Sequence, residues 1–288
     1  MNTNINLYNA KPLIFMLIFI ALIFNSCEEN VTDIEITKSK PQLVVYSFIS
    51  PNLDKSKVSV SMSKPIYNNA YNEYNYQIVD TALVTITGSN GISASLYFNT
   101  ISKFYEIDSA SFPIKEGVTY NLSVKTFDGK NATANCTVPY KVNNQIKFES
   151  LEKFNEYNWV LKFSFTDAKG EGDLYDIKAF QHDIQSGRNS SILNEKIFIS
   201  DKDNDNKEIF ISKYVHSMDN YYSGNKLLIR ILKTDKNYYE YYKNVNNIEG
   251  GFEYFTEPVF VHFNIEGGFG AFGAYTIDEA LFDIEQKK

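Results

Sequence analysis

The chain has 288 residues, and its 28 Lys and Arg against 35 Asp and Glu give a formal net charge of -7 at pH 7. This acidic balance excludes the strongly basic surfaces by which proteins bind nucleic acids, so no nucleic-acid partner is expected. Two cysteines are too few for a disulfide framework, and the 21 Tyr and 22 Phe favour strands over helices.

The N-terminus carries an export signal. An apolar run over residues 12–24 is too short to span a bilayer, which takes about 20 apolar residues. It is followed by Ser26 and Cys27, and a small residue directly before a cysteine resembles a bacterial lipoprotein cleavage site. We therefore predict a signal peptide over 1–26, a lipid-modified Cys27 and a polar tether over 27–39. An uncleaved anchor, or secretion with an unmodified cysteine, is the alternative.

Two acidic residues, Glu28 and Glu29, follow that cysteine directly. They resemble the signal that sends lipoproteins of Bacteroidota to the outer face of the outer membrane. A solvated linker charge is the alternative interpretation. We expect a protein that is anchored by lipid in the outer membrane and faces the cell exterior, with the periplasmic face as the other orientation.

Residues 40–142 have the pattern of a first β-domain. Seven short runs alternate apolar and polar side chains, most clearly at 58–62 and 118–124, as half-buried strands do. Asp128-Gly129 supplies a tight hairpin turn. The spacing of strands and turns predicts an immunoglobulin-like β-sandwich, in which Cys136 is a small buried hydrophobic side chain.

A tyrosine-rich polar loop interrupts this first domain at residues 67–76. Tyrosine offers a rigid contact surface with a polar tip, which suits the recognition of proteins or sugars. Rings that only cover the end of the sandwich are the alternative. The candidate contact residues are Tyr67, Tyr71, Tyr74 and Tyr76.

Two tripeptides of the first domain are candidate modification sites. Asp80-Thr81-Ala82 and Asp108-Ser109-Ala110 resemble the O-glycosylation acceptor of exported proteins in Bacteroidota. We therefore predict Thr81 and Ser109 as glycosylation sites, with a chance occurrence of these short patterns as the alternative.

Residues 143–284 predict a second β-sandwich-type domain with one short helix. Trp159 lies on the apolar side of an alternating run and is expected to anchor the core. A helix is predicted from Lys236 to Val245, with Asp235 as its N-cap and a tyrosine stripe that packs against the sheet. Further strands are predicted over residues 192–199, 208–212 and 226–232, so the whole chain is expected to be mainly β.

Two stretches of the second domain resemble ligand-binding loops. The glycine-dense residues 267–275 lack the Lys-Ser/Thr ending of a phosphate loop, so these glycines are expected to permit a bulge or close strand approach. Asp201, Asp203 and Asp205 resemble the start of a calcium loop, but the turn glycine and the final glutamate are missing. We expect a solvated turn there and predict neither a metal nor a cofactor. A second acidic group stands at Asp167, Glu171 and Asp173.

Catalytic constellations are not apparent from spacing. The three histidines show neither zinc-ligand spacing nor pairing with a marked nucleophile. Paired carboxylates of a hydrolase stay open as an alternative, because 35 acidic residues offer many pairs. We nevertheless expect a protein that is not an enzyme.

The ordered motifs of the mature chain resemble the surface-lipoprotein family known as domain of unknown function 4249. They stand at Ser26-Cys27-Glu28, Leu43-Val44-Val45, Val58-Ser59-Val60-Ser61 with Pro65, Thr137-Val138-Pro139, Tyr238-Tyr239-Glu240-Tyr241, Asn264-Ile265-Glu266-Gly267-Gly268, and Gly270 with Phe272-Gly273-Ala274-Tyr275.

This resemblance implies an accessory lipoprotein of a TonB-dependent outer-membrane receptor, because members of the family are commonly encoded beside such receptors. It implies no catalytic residues. We therefore expect a non-enzymatic accessory or binding subunit of such a receptor or of a related outer-membrane assembly. A lipoprotein that binds glycans or peptides on its own is the alternative, and a hydrolase is a further one.

Overall fold

A computed structural model describes residues 40–64, 77–141, 145–156, 158–202, 204–216, 226–249 and 261–284. In this part of the chain the fold is mainly β, with two sheets and a single short helix, and it is consistent with a β-sandwich type of fold. No helix among these residues is both long and apolar enough to cross a bilayer. The strands before residue 140 are β1 (Leu43–Ile49), β2 (Lys55–Met62), β3 (Gln77–Ile78), β4 (Leu83–Gly88), β5 (Ser93–Phe98), β6 (Tyr105–Asp108), β7 (Thr119–Lys125) and β8 (Asn131–Thr137). The later elements are β9 (Lys147–Lys153), β10 (Asn158–Thr166), β11 (Leu174–His182), β12 (Asn189–Ser191), β13 (Ile197–Ser200), β14 (Glu208–His216), β15 (Lys226–Thr234), α1 (Lys236–Glu249) and β16 (Gly268–Asp283).

The first core is enclosed by one continuous run of hydrogen-bonded strands, in the order β1-β2-β6-β5-β4-β7-β8. Its strands alternate buried and exposed side chains, as the predicted period of two requires, and Val58, Leu122 and Val124 are almost fully buried. Cys136 is also buried in this core, which confirms the prediction for it. The last strand returns to the residues before β16 through a bridge between Thr133 and Glu266.

The second core lies between two groups of strands. The three-stranded sheet β14-β10-β9 contributes its inner face, and β11 and β15 of the large sheet contribute the opposite one. Leu161, Phe163 and Phe165 are fully buried here. Trp159 is partly buried and packs against the same cluster, which confirms the predicted core position.

The long terminal strand β16 joins the sheets that enclose both cores. Its first half runs parallel to β1, with Gly268 opposite Leu43 and Ala274 opposite Ile49. Its second half runs antiparallel to β15, with Tyr275 opposite Thr234. The described part of the chain therefore forms one compact unit around two cores.

The glycines of β16 serve close backbone approach, which confirms the prediction for residues 267–275. Gly270 has a φ of 116°, and a Cβ at this position would overlap the carbonyl oxygen of Val45 on β1. A Cβ on Gly273 would lie 2.8 Å from the backbone nitrogen of Tyr238 on α1. Any larger residue would therefore push the terminal strand away from β1 or from the helix.

The helix α1 begins where the sequence predicts and extends four residues further than predicted. Asp235 caps it, because Oδ1 of its carboxylate accepts a hydrogen bond from the Tyr238 amide at 2.9 Å. The same oxygen accepts the Ala274 amide of β16 at 3.0 Å. The N-cap thus fastens the helix to the terminal strand.

The structure departs from the predicted strands in the second half of the chain. A single strand was expected over 192–199, but β12 and β13 pair separately with β11 because Leu193 leaves that sheet to bridge Val215 of β14. Strand β9 was not predicted. Its register against β10 shifts between Lys162 and Phe163, and such an irregularity breaks the alternating pattern that marks a strand.

Candidate binding surfaces

Exposed apolar side chains gather at one end of the first core, and we call Leu83, Tyr97, Ile101 and Phe127 the tether-end patch. They are 57%, 78%, 92% and 91% exposed, respectively. Leu83 stands opposite Lys125, the last residue of β7. Val84 and Leu96, which adjoin Leu83 and Tyr97, are paired in the register of β4 with β5. The turns that follow β5 and β7 therefore project from the same end of the sheet.

The chain enters the fold at this end. Lys40, the first described residue, lines a cavity of about 570 Å³ together with Phe127. Met62 and Gln77, the last and first residues of β2 and β3, line it as well. The predicted contact residues between these two strands (Tyr67, Tyr71, Tyr74 and Tyr76) and the lipidation and export residues (Cys27, Glu28 and Glu29) all lie outside the described residues.

The two predicted glycosylation sites differ in their surroundings. Thr81 is exposed and lines the cavity beside Phe127, just before β4. Ser109 is half-buried, and its amide donates a hydrogen bond to the carbonyl oxygen of Asp54 at 2.8 Å. Thr81 is therefore the more accessible of the two, and modification of either stays a prediction.

The helix packs against β1 through aromatic rings. Phe48 contacts Tyr238 at 5.3 Å and Tyr242 at 4.8 Å between ring centroids. The Tyr238 hydroxyl also donates to the buried carboxylate of Asp176 on β11 at 2.8 Å, and burial raises the pKa of that carboxyl. The helix thus connects β1 of the first core with β11 beside the second, as expected for a packing stripe.

Part of the stripe also lines an open groove of about 520 Å³. Tyr46, Tyr241 and Tyr242 are among the residues that line it. Burial raises the pKa of Tyr242 to about 12, so its hydroxyl stays neutral. Lys55 and Lys57 also line the groove and form ion pairs with Glu106, and Lys55 pairs with Asp108 as well, so two carboxylates balance the two ammonium groups.

Three aspartates meet in an acidic cluster at the end of the second core. One carboxylate oxygen each of Asp167, Asp173 and Asp201 lies within 4.8 Å of the others. The Tyr175 hydroxyl donates a hydrogen bond to Asp167 at 2.5 Å, and Lys233 forms an ion pair with Asp173 at 2.7 Å. Burial raises the pKa of Asp167, and the nearby carboxylates raise it further. The cluster is therefore a hydrogen-bonded network that contains its own cation.

The expected solvated turn is wrong for Asp201, which is buried. Both of its carboxylate oxygens accept the Gly172 amide, at 3.0 and 2.8 Å, and Asp205 accepts the Gly170 amide at 2.7 Å. These aspartates therefore hold the neighbouring exposed loop through its backbone amides. Asp203 lies outside the described residues.

The solvent side of β9, β10 and β14 carries a second aromatic surface, which we call the outer sheet face. Phe154 and Tyr214 are 62% and 51% exposed and meet edge to face at 5.2 Å between centroids. They line an open cavity of about 660 Å³, to which Val160, Asn158 and Asn194 also contribute. The Asn194 side-chain amide donates to Oδ1 of Asn158 at 3.4 Å. A charged pair, Glu195 with Lys213 at 3.5 Å, completes the cavity wall.

Two of the histidines are held by amide side chains. His182 Nδ1 lies 2.8 Å from the side-chain oxygen of Asn189, and His262 Nε2 lies 3.2 Å from that of Asn237. These contacts fit structural hydrogen bonds at strand and helix ends. The absence of enzymatic activity stays a prediction.

Sequence reasoning missed the outer sheet face and the partners of the acidic cluster. Phe154 and Tyr214 are 60 residues apart, and only strand pairing brings them together. Lys233 is likewise remote from Asp173 in sequence. Alternation within β14 marks its exposed positions, but it does not identify the neighbours of those positions.

Comparison with known proteins completes this description. No curated protein matches the chain. The sequence profile of a family described as a domain of unknown function, DUF4249, matches residues 29–280. This match covers nearly all of the predicted mature chain, from Glu29 to Ala280 within β16. The chain therefore belongs to the DUF4249 family.

Proposed function

We propose that the protein is a lipid-anchored, non-enzymatic subunit of the outer membrane that accompanies a TonB-dependent receptor or a related assembly and faces the cell exterior. The Ser26-Cys27 sequence supports the anchor, and Glu28 with Glu29 supports the outward orientation. The observation that carries the partner role is the tether-end patch.

The patch has the properties of a protein-docking surface. Monomeric proteins rarely expose clustered apolar side chains without a use for them. Ile101 and Phe127 are more than nine-tenths exposed, and both stand on hairpin turns at the end where the chain enters the fold. Residues 27–39 reach at most about 45 Å when fully extended, so an anchored Cys27 keeps this end close to membrane-embedded partners.

Co-purification from detergent-solubilised outer membranes tests the partner role. We expect a receptor or another outer-membrane protein to be recovered with the wild type, and less of it with the double variant Ile101→Ser and Phe127→Ser. Phe210→Ser is the matched control, because Phe210 is 66% exposed but lies on β14. Recovery of a free monomer alone, or equal recovery with all variants, would contradict the proposal.

The anchor is tested separately by mass spectrometry of the mature N-terminus. We expect an acylated Cys27, and release of the protein from membranes in Cys27→Ser. Cys136→Ser is not a suitable control because Cys136 is buried, so Thr32→Ser in the predicted tether serves instead. An unacylated N-terminus would contradict the anchor.

Ligand binding without a receptor is the second candidate function. It is favoured by the outer sheet face, where exposed rings and amide side chains line one cavity. This arrangement suits recognition of a glycan or a peptide, and it lies on strands that are not part of the tether-end patch.

A further inference from the structure

We propose that the outer sheet face binds a neutral carbohydrate chain. This inference deepens the second candidate function and rests on it, while it is independent of the receptor partner. It is carried by the juxtaposition of two exposed rings, two amide side chains and one balanced ion pair around a single open cavity.

The two rings provide the stacking surface. Phe154 and Tyr214 meet at an interplanar angle of 63°, so they form a corner with both rings more than half exposed. The apolar C–H faces of a sugar ring pack well against aromatic faces, since aromatic side chains combine large contact area with little conformational freedom. Val160, opposite Tyr214 in the β10–β14 register, extends the apolar floor between the rings and the amide groups.

The polar groups provide hydrogen-bonding capacity of both kinds. Asn158 and Asn194 offer amide donors and acceptors, and the single bond between them at 3.4 Å leaves further donor and acceptor capacity on each side chain. Glu195 is 75% exposed and Lys213 is 43% exposed, so both reach solvent beside the rings. A hydroxyl group is at once a donor and an acceptor, so it can pair with each of these side chains.

The charge of the cavity selects for a neutral ligand. Glu195 and Lys213 are the charged residues among those that line it, and they pair with each other at 3.5 Å. An anionic or cationic ligand would therefore gain little from this wall. A polyhydroxylated neutral ligand matches it without leaving a buried charge unpaired.

The geometry favours a carbohydrate over a protein partner. The apolar part of the cavity is confined to Phe154, Val160 and Tyr214, and polar side chains border it directly. Protein interfaces need a larger apolar centre, from which charged residues are depleted. The cavity volume of about 660 Å³ lies within the range of small-ligand sites, roughly 300–1,000 Å³.

The surface is supported by a rigid layer beneath it. Leu161, Phe163 and Val215 point inward from the same strands and are fully buried. Successive side chains of a strand lie on opposite faces, so changes to outward-facing rings leave this packing in place. The binding variants are therefore expected to fold as the wild type does.

Isothermal titration calorimetry of the full chain in detergent tests the inference against a panel of neutral oligosaccharides. The panel contains α- and β-linked glucans, mannans, galactans and N-acetylglucosamine oligomers. We expect saturable binding of at least one of them, weakened at least tenfold by Phe154→Ala or Tyr214→Ala. Tyr214→Phe keeps the ring and should bind within a few-fold of the wild type.

The control is Phe127→Ala, which removes a ring that is even more exposed, at 91%, from the tether-end patch. Binding that is unchanged in the Phe154 and Tyr214 variants, or saturable binding to no member of the panel, would overturn the inference. Loss of a co-purifying protein in those same variants would also overturn it, in favour of protein docking. Loss of receptor co-purification only in the Phe127 variants would leave the carbohydrate site supported, so the two proposals fail separately.

Discussion

The two cores differ in the kind of polar group that is buried in and around them. In the described part of the first core the buried polar residues are serines, Ser47, Ser50, Ser56 and Ser61. The strands and loops around the second core bury three carboxylates, those of Asp167, Asp176 and Asp201. A buried serine needs one neutral hydrogen bond, whereas a buried carboxylate needs several partners or a cation. The first core thus depends on apolar alternation, and the second depends on specific polar contacts.

Strand β16 links the two cores, and a substitution that breaks this link should lower the free energy of unfolding most. Gly270→Ala should lower the free energy of unfolding by about 3 to 5 kcal/mol, because a Cβ would overlap the Val45 carbonyl at a positive φ. Chemical denaturation measures the loss. Hydrogen exchange should show the β1–β16 amides losing more protection than those of β11 and β15.

The control for this substitution is Gly129→Ala. Gly129 also has a positive φ, of 85°, but its Cβ would meet no atom within 4 Å. We expect a loss of only about 1 kcal/mol there, from backbone strain alone. Equal losses at the two glycines would contradict the close approach of β16 to β1.

The pH dependence of stability should come partly from Asp235, the helix cap between the two cores. Burial raises the pKa of Asp235 to about 6. Between about pH 4 and pH 6 the unfolded chain loses this proton while the folded chain keeps it, so stability falls as pH rises through this window and is constant above it. The contribution is about 3 kcal/mol.

Urea denaturation of the wild type and of Asp235→Asn across that pH range measures this contribution to stability. The amide oxygen can still accept the Tyr238 and Ala274 hydrogen bonds, both of which use Oδ1, so the cap persists and the pH step disappears. Asp235→Ala should lose the cap as well, by about 1 kcal/mol. An identical pH profile for wild type and Asp235→Asn would refute the role of this carboxyl.

A pair of tyrosines sharpens the comparison between the cores. Tyr175→Phe in the second core should cost about 2 kcal/mol, because Asp167 would lose the hydroxyl that donates to it at 2.5 Å. Tyr120→Phe in the first core should cost about 1 kcal/mol, since its hydroxyl accepts only a backbone amide, that of Lys115, at 2.8 Å. Thermal unfolding of both variants measures the difference in stability. A larger loss for Tyr120→Phe would contradict the conclusion that the second core depends more on specific polar contacts.

The smallest change in the free energy of unfolding is expected for substitutions on the outer sheet face. Tyr214→Ala and Phe210→Ala should each change the free energy of unfolding by no more than about 0.5 kcal/mol, because both rings are more than half exposed. A loss of several times that amount would mean that these rings hold the sheet together, and it would remove the basis for a binding role.

Local patterns predicted the first core better than the second. The alternation over 58–62 and 118–124 identified strands β2 and β7 and their inward faces to within three residues, and Cys136 was placed correctly. In the second core the irregularity at Glu149 within β9 and the departure of Leu193 from the β11 sheet disturbed the period. A pattern of period two can be recognised only where pairing is regular over several residues.

The candidate site was less predictable than the fold. The sequence marked tyrosine-rich and acidic segments, but Asp201 belongs to a buried network and the exposed aromatic pair of Phe154 and Tyr214 had no local signature. Whether the side chain of a strand residue is exposed depends on the residues that lie beside it on the neighbouring strands. That is decided by register, which a single chain segment does not encode.

The sequence by itself determined the β class, the alternating first core and the Asp235 cap, because each depends on residues that are close together in the chain. The export and lipid-attachment signals stay predictions. Only the tertiary structure decided that β16 pairs with β1 and β15 at once, that three separated aspartates share one cluster, and that two distant rings form the outer sheet face. The physical reason is that strand pairing is non-local. Its partners are chosen by the burial of whole faces, and the gain from that burial appears only when the complete sheet has formed.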